Sequence, residues 1–228
     1  MPLFLFGALS NRCLLLVILV LDSCGTTIRC VSGLDNGLGL TPPMGFNAWY
    51  ALHHHLTTNY TWQDGYVLSH DFYDIAVYMQ QKHQDDNDSF YEAGYRYMNL
   101  DDAIVQGSRH AVTQRLQPDL RAFPHGEASV RNLSAALHDR GYLFGWYTDR
   151  GVETCASRSW IPDANNNVSN NSLRPGSLGF ETIDAQTFAD WGVDYLKEDS
   201  CFSNGAPYAM TVQYAKMRDA LNQTGRRV

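Results

Sequence analysis

Basic clusters are missing from this 228-residue chain. No run of Lys and Arg is longer than a pair, and 24 acids against 17 bases leave a net charge of −7. Without a basic stripe there is no electrostatic footprint for a phosphate backbone, so nucleic acid is not an expected partner and a neutral or weakly charged one fits better. Long apolar runs are missing too. CLLLVILVL (Cys13 to Leu21) is about half the roughly 20 residues a spanning helix needs, and Ser10, Asn11 and Arg12 separate it from the apolar residues before it, so no membrane span is expected. Metal patterns are equally scarce. No loop has the D-x-[DN]-x-[DN]-G spacing that gathers the oxygens of calcium, and consecutive histidines (His53 to His55) cannot all face one ion. A solvated loop is expected there, with neither metal nor cofactor anywhere.

What is present begins with Arg12 before that apolar run and the small residues Ser23, Cys24 and Gly25 after it, the pattern of a secretory signal peptide over residues 1–25. Export permits disulfides. Of five cysteines, Cys13 and Cys24 are expected to leave with the leader, so Cys30, Cys155 and Cys201 remain. Six N-x-[ST] sequons, at Asn59, Asn87, Asn132, Asn167, Asn170 and Asn222, agree with a glycosylated export route. The hydrophobic content, 44% with 12% aromatic, is ample for a core.

Periodicity predicts alternating elements. Strands are expected at Met44 to Trp49, Tyr95 to Leu100, Tyr142 to Thr148 and Val193 to Lys197. Helices are expected where Phe72, Ile75, Ala76 and Met79, and then Val130, Leu133, Ala136 and Leu137, repeat at i, i+3, i+4, i+7. Two more close on Gly192 and Gly225, the first with Asp184 as a cap. Ser157 to Gly179, rich in Asn, Ser, Pro and Gly, reads as a loop, and His83 to Ser89 as an exposed helix exit. EAGYRYMNL, DRGYLFGWY and ADWGVDYLK repeat a helix, a glycine and a strand, which implies a parallel sheet of α/β type. Polar residues gather at the carboxyl edge of such sheets, and the exits NLDDA, WYTDRG and YLKEDSC each carry an acid.

In DYLKEDSC, strand alternation puts Lys197 and Asp199 on one face and Glu198 on the other. A lysine beside Asp199 holds it ionised, as a nucleophile requires; a plain ion pair at a strand end explains the spacing equally well. Asp101 and Asp102 repel unless each accepts from donors, and vicinal sugar hydroxyls are such donors; a helix cap or a cation ligand is the rival reading. If the third and fourth strands are neighbours, Cys155 and Cys201 can bridge their exit loops; otherwise they are free thiols.

TPPMGFNAWY, YMNLDDA, FGWYTDRGVETCA, PGSLGFETIDAQTFADWGVDYLKEDSC and ALNQTGR together resemble glycoside hydrolase family 27, the α-galactosidases and α-N-acetylgalactosaminidases, from about Leu34 to the last residue. The resemblance implies a (β/α)8 TIM barrel of which residues 34–228 supply about the first four βα units, and a retaining mechanism with two carboxylates. It makes Asp199 the nucleophile, Lys197, Asp101 and Asp102 binders of galactose hydroxyls, Tyr147 a pocket aromatic, and Cys155 with Cys201 a disulfide flanking the site. Phe46 stands where the family's MGW motif has Trp, implying an apolar pocket wall. Ala103 and Ile104 replace the Cys-Trp of DDCW, implying that one further disulfide is missing. The family's acid/base aspartate follows a sixth strand and so falls beyond Val228, as does the C-terminal β-sandwich. The resemblance thus implies hydrolysis of terminal α-D-galactosides, with α-N-acetylgalactosaminides or sugar binding without cleavage as alternatives, in a secreted or lysosomal/vacuolar protein.

Overall fold

A computed structural model of the chain describes residues 34, 36–49, 68–82, 87–158, 173–203 and 207–228. The expected leader, Cys30, His53 to His55 and the sequons at Asn59, Asn167 and Asn170 lie outside those residues, as does most of the loop expected over Ser157 to Gly179. No described helix is long and apolar enough to cross a membrane.

Four strands form a parallel sheet in sequence order: β1 (Gly45–Asn47), β2 (Tyr97–Asn99), β3 (Leu143–Asp149) and β4 (Tyr195–Asp199). They alternate with α1 (Leu68–Met79), α2 (Glu127–Asp139), α3 (Glu181–Trp191) and α4 (Pro207–Gln223). The register pairs Asn47 with Asn99, Asn99 with Gly145, Tyr147 with Lys197 and Asp149 with Asp199. Chain alternation then gives the sheet two faces. Met98, Phe144 and Trp146 turn to the helices and join the core with Phe72 and Ala76 of α1, Leu133 and Leu137 of α2, and Phe188 and Trp191 of α3. The Trp146 and Trp191 rings meet edge to face at 4.8 Å, a geometry that aligns the positive edge of one ring with the negative face of the other. Asn47, Tyr97, Asn99, Tyr147, Lys197 and Asp199 occupy the opposite face, where Tyr97 and Tyr195 stack edge to face across β3 at 5.7 Å.

The helix stripes form as the spacing predicts: Phe72, Ala76 and Met79 are buried on α1, and Val130, Leu133 and Leu137 on α2. Gly192 ends α3 at φ +79°, and the Val193 N–H reaches back to the Phe188 carbonyl at 3.0 Å. A Cβ here would lie 2.4 Å from Ser134 Oγ of α2, so the left-handed cap and the packing of α2 on α3 both require glycine. One local expectation fails. Asp184 does not cap α3: the helix starts three residues earlier, with Phe180 in the cap position, and Asp184 is fully buried inside it. A carboxylate there needs a counter-charge, which Arg109 supplies through two bonds of 2.6 and 2.7 Å while its guanidinium lies 4.1 Å over the Phe180 ring.

Candidate active site

Four acids from three neighbouring strand exits, Asp101 and Asp102 after β2, Asp149 at the end of β3 and Asp199 at the end of β4, come together at the carboxyl edge of the sheet. Asp199 ends β4, and each of its oxygens has a donor: Tyr147 Oη gives a hydrogen bond to Oδ2 at 3.1 Å and the Ser200 N–H gives one to Oδ1 at 2.8 Å. Burial, reinforced by the charges of Asp102, Asp199 and Asp149, drives the Tyr147 phenol far above its ordinary value, so it remains a neutral donor. Asp101 follows β2. Its Oδ2 accepts from Lys197 Nζ at 2.8 Å and from Asn47 Nδ2 at 2.7 Å, while Oδ1 receives the Asp102 N–H. Asp102 is almost wholly buried, which pushes its carboxyl above the ordinary range; N–H groups of Ala156 and Ala103, the Thr154 hydroxyl and the Arg174 charge oppose that shift.

The lysine takes a different partner from the one that sequence alternation suggests. Lys197 and Asp199 do share a face, but the ion pair of Lys197 is with Asp101, two strands away. The long lysine stem crosses β3 beside Tyr147, with Nζ 5.1 Å from the ring centroid. Phe46 is a second correction. It was expected on the pocket wall, but its ring packs 6.0 Å from Phe72 of α1, so it belongs to the helix-side layer. Alternation gives the site face to the next residue, Asn47, which sequence reasoning missed.

Asp149 is the other missed residue, although WYTDRG had marked its position as an acid at a strand exit. It has no solvent exposure, its Oδ1 receives the Gly151 N–H at 2.6 Å, and its Oδ2 receives the Cys201 N–H at 2.7 Å. Burial pushes its carboxyl up to about 6 despite those two donors, with the charges of Asp199 and Asp102 adding to the rise. Cys155 and Cys201 are bonded to each other, with Cα atoms 5.1 Å apart, so the β3 and β4 exit loops are tied covalently beside Asp199. The loops also press together: a Cβ on Gly151 would sit 2.0 Å from the Cys201 carbonyl oxygen. Donor atoms of Asp149, Cys155, Asp199 and Cys201 lie within 4.8 Å of one another, but the disulfide uses both sulfurs and leaves two carboxylates. On the helix side of β4, Glu198 has one oxygen without a hydrogen-bond partner among the described residues. Burial, with the charges of Asp149 and Glu181, pushes its carboxyl up to about 8, against the pull of Arg150.

Parallel strands with intervening helices on one face, and carboxylates at the strand exits, define an incomplete βα barrel with its site at the C-terminal edge. The chain belongs to the α-galactosidase A family (Melibiase_2) of glycoside hydrolase family 27, whose profile matches residues 41–228. It is 36% identical over 199 residues to α-galactosidase mel1 of Schizosaccharomyces pombe, an alignment covering 86% of this chain and 37% of that protein. Among solved structures, α-galactosidase I of Mortierella vinacea superposes with a TM-score of 0.63 at 29% identity, covering 86% of this chain and 41% of that one. The Saccharomyces cerevisiae α-galactosidase with raffinose superposes with a TM-score of 0.62 at 33% identity, covering 85% and 35%. The chain therefore spans well under half the length of these proteins.

Proposed function

We propose that this chain carries the nucleophile and part of the sugar pocket of a retaining α-galactosidase. The observation that carries the reading is the position of Asp199: an acid at a strand exit, oriented by Tyr147 Oη and the Ser200 N–H, next to an Asp101 already held by Lys197 and Asn47. Asp199 attacks the anomeric carbon of a bound α-galactoside as the glycosidic bond to the leaving group breaks, giving a galactosyl ester, and water then releases galactose with net retention. Tyr147 keeps the attacking carboxylate in place and contributes no charge of its own. Lys197 donates to a sugar hydroxyl while neutralising Asp101. Asp101 Oδ2 already accepts from two donors, whereas Asp101 Oδ1 accepts only the Asp102 N–H and keeps an acceptor site that a galactose hydroxyl can use. A relative solved with raffinose, an α-galactoside, supports the substrate class.

The leaving oxygen also needs a proton. Asp149 has the raised affinity of an acid and lies close to Asp199, but its complete burial, with each oxygen engaged by a backbone N–H, keeps it from the leaving group. We therefore assign the acid/base role to the part of the family's length that this chain does not span. The leader and the sequons support passage through the secretory pathway, and among the described sequons the Asn87, Asn132 and Asn222 side chains stand exposed, as glycans require.

The test is hydrolysis of a nitrophenyl α-galactoside. The whole protein is expected to cleave it, Asp199→Ala to lower kcat by on the order of 10³-fold or more, and residues 1–228 alone to give negligible turnover. A whole protein inactive on α-galactosides, or an Asp199→Ala variant of undiminished rate, contradicts the proposal.

A further inference from the structure

Arg150 leaves β3 directly after Asp149, and it is only 5% exposed. A buried guanidinium is costly unless it is paired or fully hydrogen-bonded, and its usual partner is a carboxylate. Acids crowd the strand exits around Arg150, yet its side-chain bonds among the described residues go to neutral acceptors. Nε and Nη2 both donate to Ser200 Oγ, at 3.0 and 2.7 Å, and Nη1 donates to Gln213 Oε1 of α4. The Tyr214 ring, also on α4, lies with its centroid 5.6 Å from the guanidinium carbon. A full positive charge is thus devoted to one serine and one glutamine.

Ser200 is exposed, so the contact adds little to the core; what it holds is a peptide plane. The carbonyl of the Asp199–Ser200 peptide accepts the Arg150 N–H at 3.0 Å, and the N–H of the same peptide donates to Asp199 Oδ1 at 2.8 Å. Arg150 therefore grips this peptide from both sides, by its main chain at Asp199 and by its guanidinium at Ser200. A carboxylate bonded to the next N–H turns with that plane, so fixing the plane fixes Oδ1, while Tyr147 fixes Oδ2. The guanidinium gives no bond to either Asp199 oxygen, which leaves the carboxylate free to attack. Gln213 anchors the whole arrangement to a helix.

We propose that Arg150 is the positioning residue of the nucleophile: through Ser200 it sets the angle at which the Asp199 carboxylate meets the anomeric carbon. The inference rests on the α-galactosidase reading of Asp199 and adds to it a buried cation that acts only through its neighbour. Losing that angle lowers the rate and not the affinity, because the sugar hydroxyls are received by Asp101, Asp102 and Lys197, which Arg150 does not hold.

The test uses the whole protein, with a nitrophenyl α-galactoside as substrate and galactose as competitive inhibitor. Arg150→Ala is expected to lower kcat/KM roughly 10- to 100-fold, the range for losing a hydrogen bond to a charged group, and to leave the galactose inhibition constant unchanged. Ser200→Ala keeps the N–H and removes the gripped oxygen, and it is expected to lower kcat/KM in the same direction. The double variant is expected to be no slower than Arg150→Ala, because residues acting through one contact are not additive. Added guanidinium ion is expected to restore part of the rate of Arg150→Ala and none of that lost in Arg150→Met, whose side chain fills the space. Equal losses of kcat/KM and galactose affinity, which a merely structural role produces, overturn the proposal, as do additive effects or variants as fast as wild type. Where Arg150→Ala does not fold, Ser200→Ala decides: a lower rate at constant galactose affinity and melting temperature supports the proposal, and an unchanged rate overturns it. A wild type that binds galactose and hydrolyses no α-galactoside overturns the Asp199 reading, and this inference with it.

Discussion

Tyr147 is the side chain whose chemistry is most constrained by its surroundings. It donates to Asp199 at 3.1 Å, and burial among three carboxyls keeps its proton in place. A hydrogen bond to a charged acceptor contributes about 1.5–3 kcal/mol, so Tyr147→Phe is expected to lower kcat roughly 10- to 100-fold while leaving the fold intact. Steady-state kinetics on a nitrophenyl α-galactoside checks this, and an unchanged kcat removes Tyr147 from the site. At this scale much was legible beforehand. Asp199, Asp101, Asp102 and Lys197 stand out because acids and a lysine at the ends of apolar strands have no propensity-based reason to be there. Partner choice was not legible. Lys197 pairs with Asp101 because β2, β3 and β4 lie side by side and a lysine stem is long enough to cross β3, and strand order of that kind is a property of the sheet. Phe46 misled for a related reason: motif likeness says which residue type to expect, whereas the pleat decides which of two neighbours faces the acids at the strand exits, and the one on that face is Asn47.

The strands themselves carry a pH dependence. Asp149 at the end of β3 rises from 3.8 to about 6, and Glu198 on β4 from 4.5 to about 8. Both carboxyls hold a proton more tightly folded than unfolded, so the folded state binds more protons through this window and stability falls as pH rises. The Asp149 share is lost between about pH 4 and 6, and the Glu198 share between about pH 4.5 and 8. Glu198→Gln keeps the shape, removes the titration, and puts a neutral group where Glu198 Oε1 has no hydrogen-bond partner among the described residues. The expected outcome is a melting temperature at pH 8 raised by roughly 2–4 °C or more, with little change at pH 4.5. Thermal melts across that range check it, and an equal effect at both pH values points to packing instead of ionisation. Among the elements, α1 and α2 were readable from apolar spacing, and the glycine that closes α3 from its place before a strand. The start of α3 was not, because Asp184 has the composition of a cap and a burial that only the distant Arg109 makes tolerable.

Across the described residues, the parallel order β1-β2-β3-β4 brings exit acids as far apart in sequence as Asp101 and Asp199 to one edge, and the disulfide fixes the last two exits together. Alternating helix, glycine and strand made that architecture legible without coordinates. The depth at which each acid lies was not, because Asp149 and Asp199 share a register yet differ in what covers them. Asp199 keeps some solvent exposure and Asp149 none, and that distinction underlies the assignment of the nucleophile. It is tested most directly by trapping. The whole protein treated with a slow ring-fluorinated α-galactosyl fluoride, whose anomeric fluoride leaves without an acid, is expected to gain one fluorogalactosyl mass, and peptide mass spectrometry is expected to place it on Asp199. A label on Asp149, on Asp101 or on Glu198, or rapid turnover by the Asp199→Ala variant, contradicts the account.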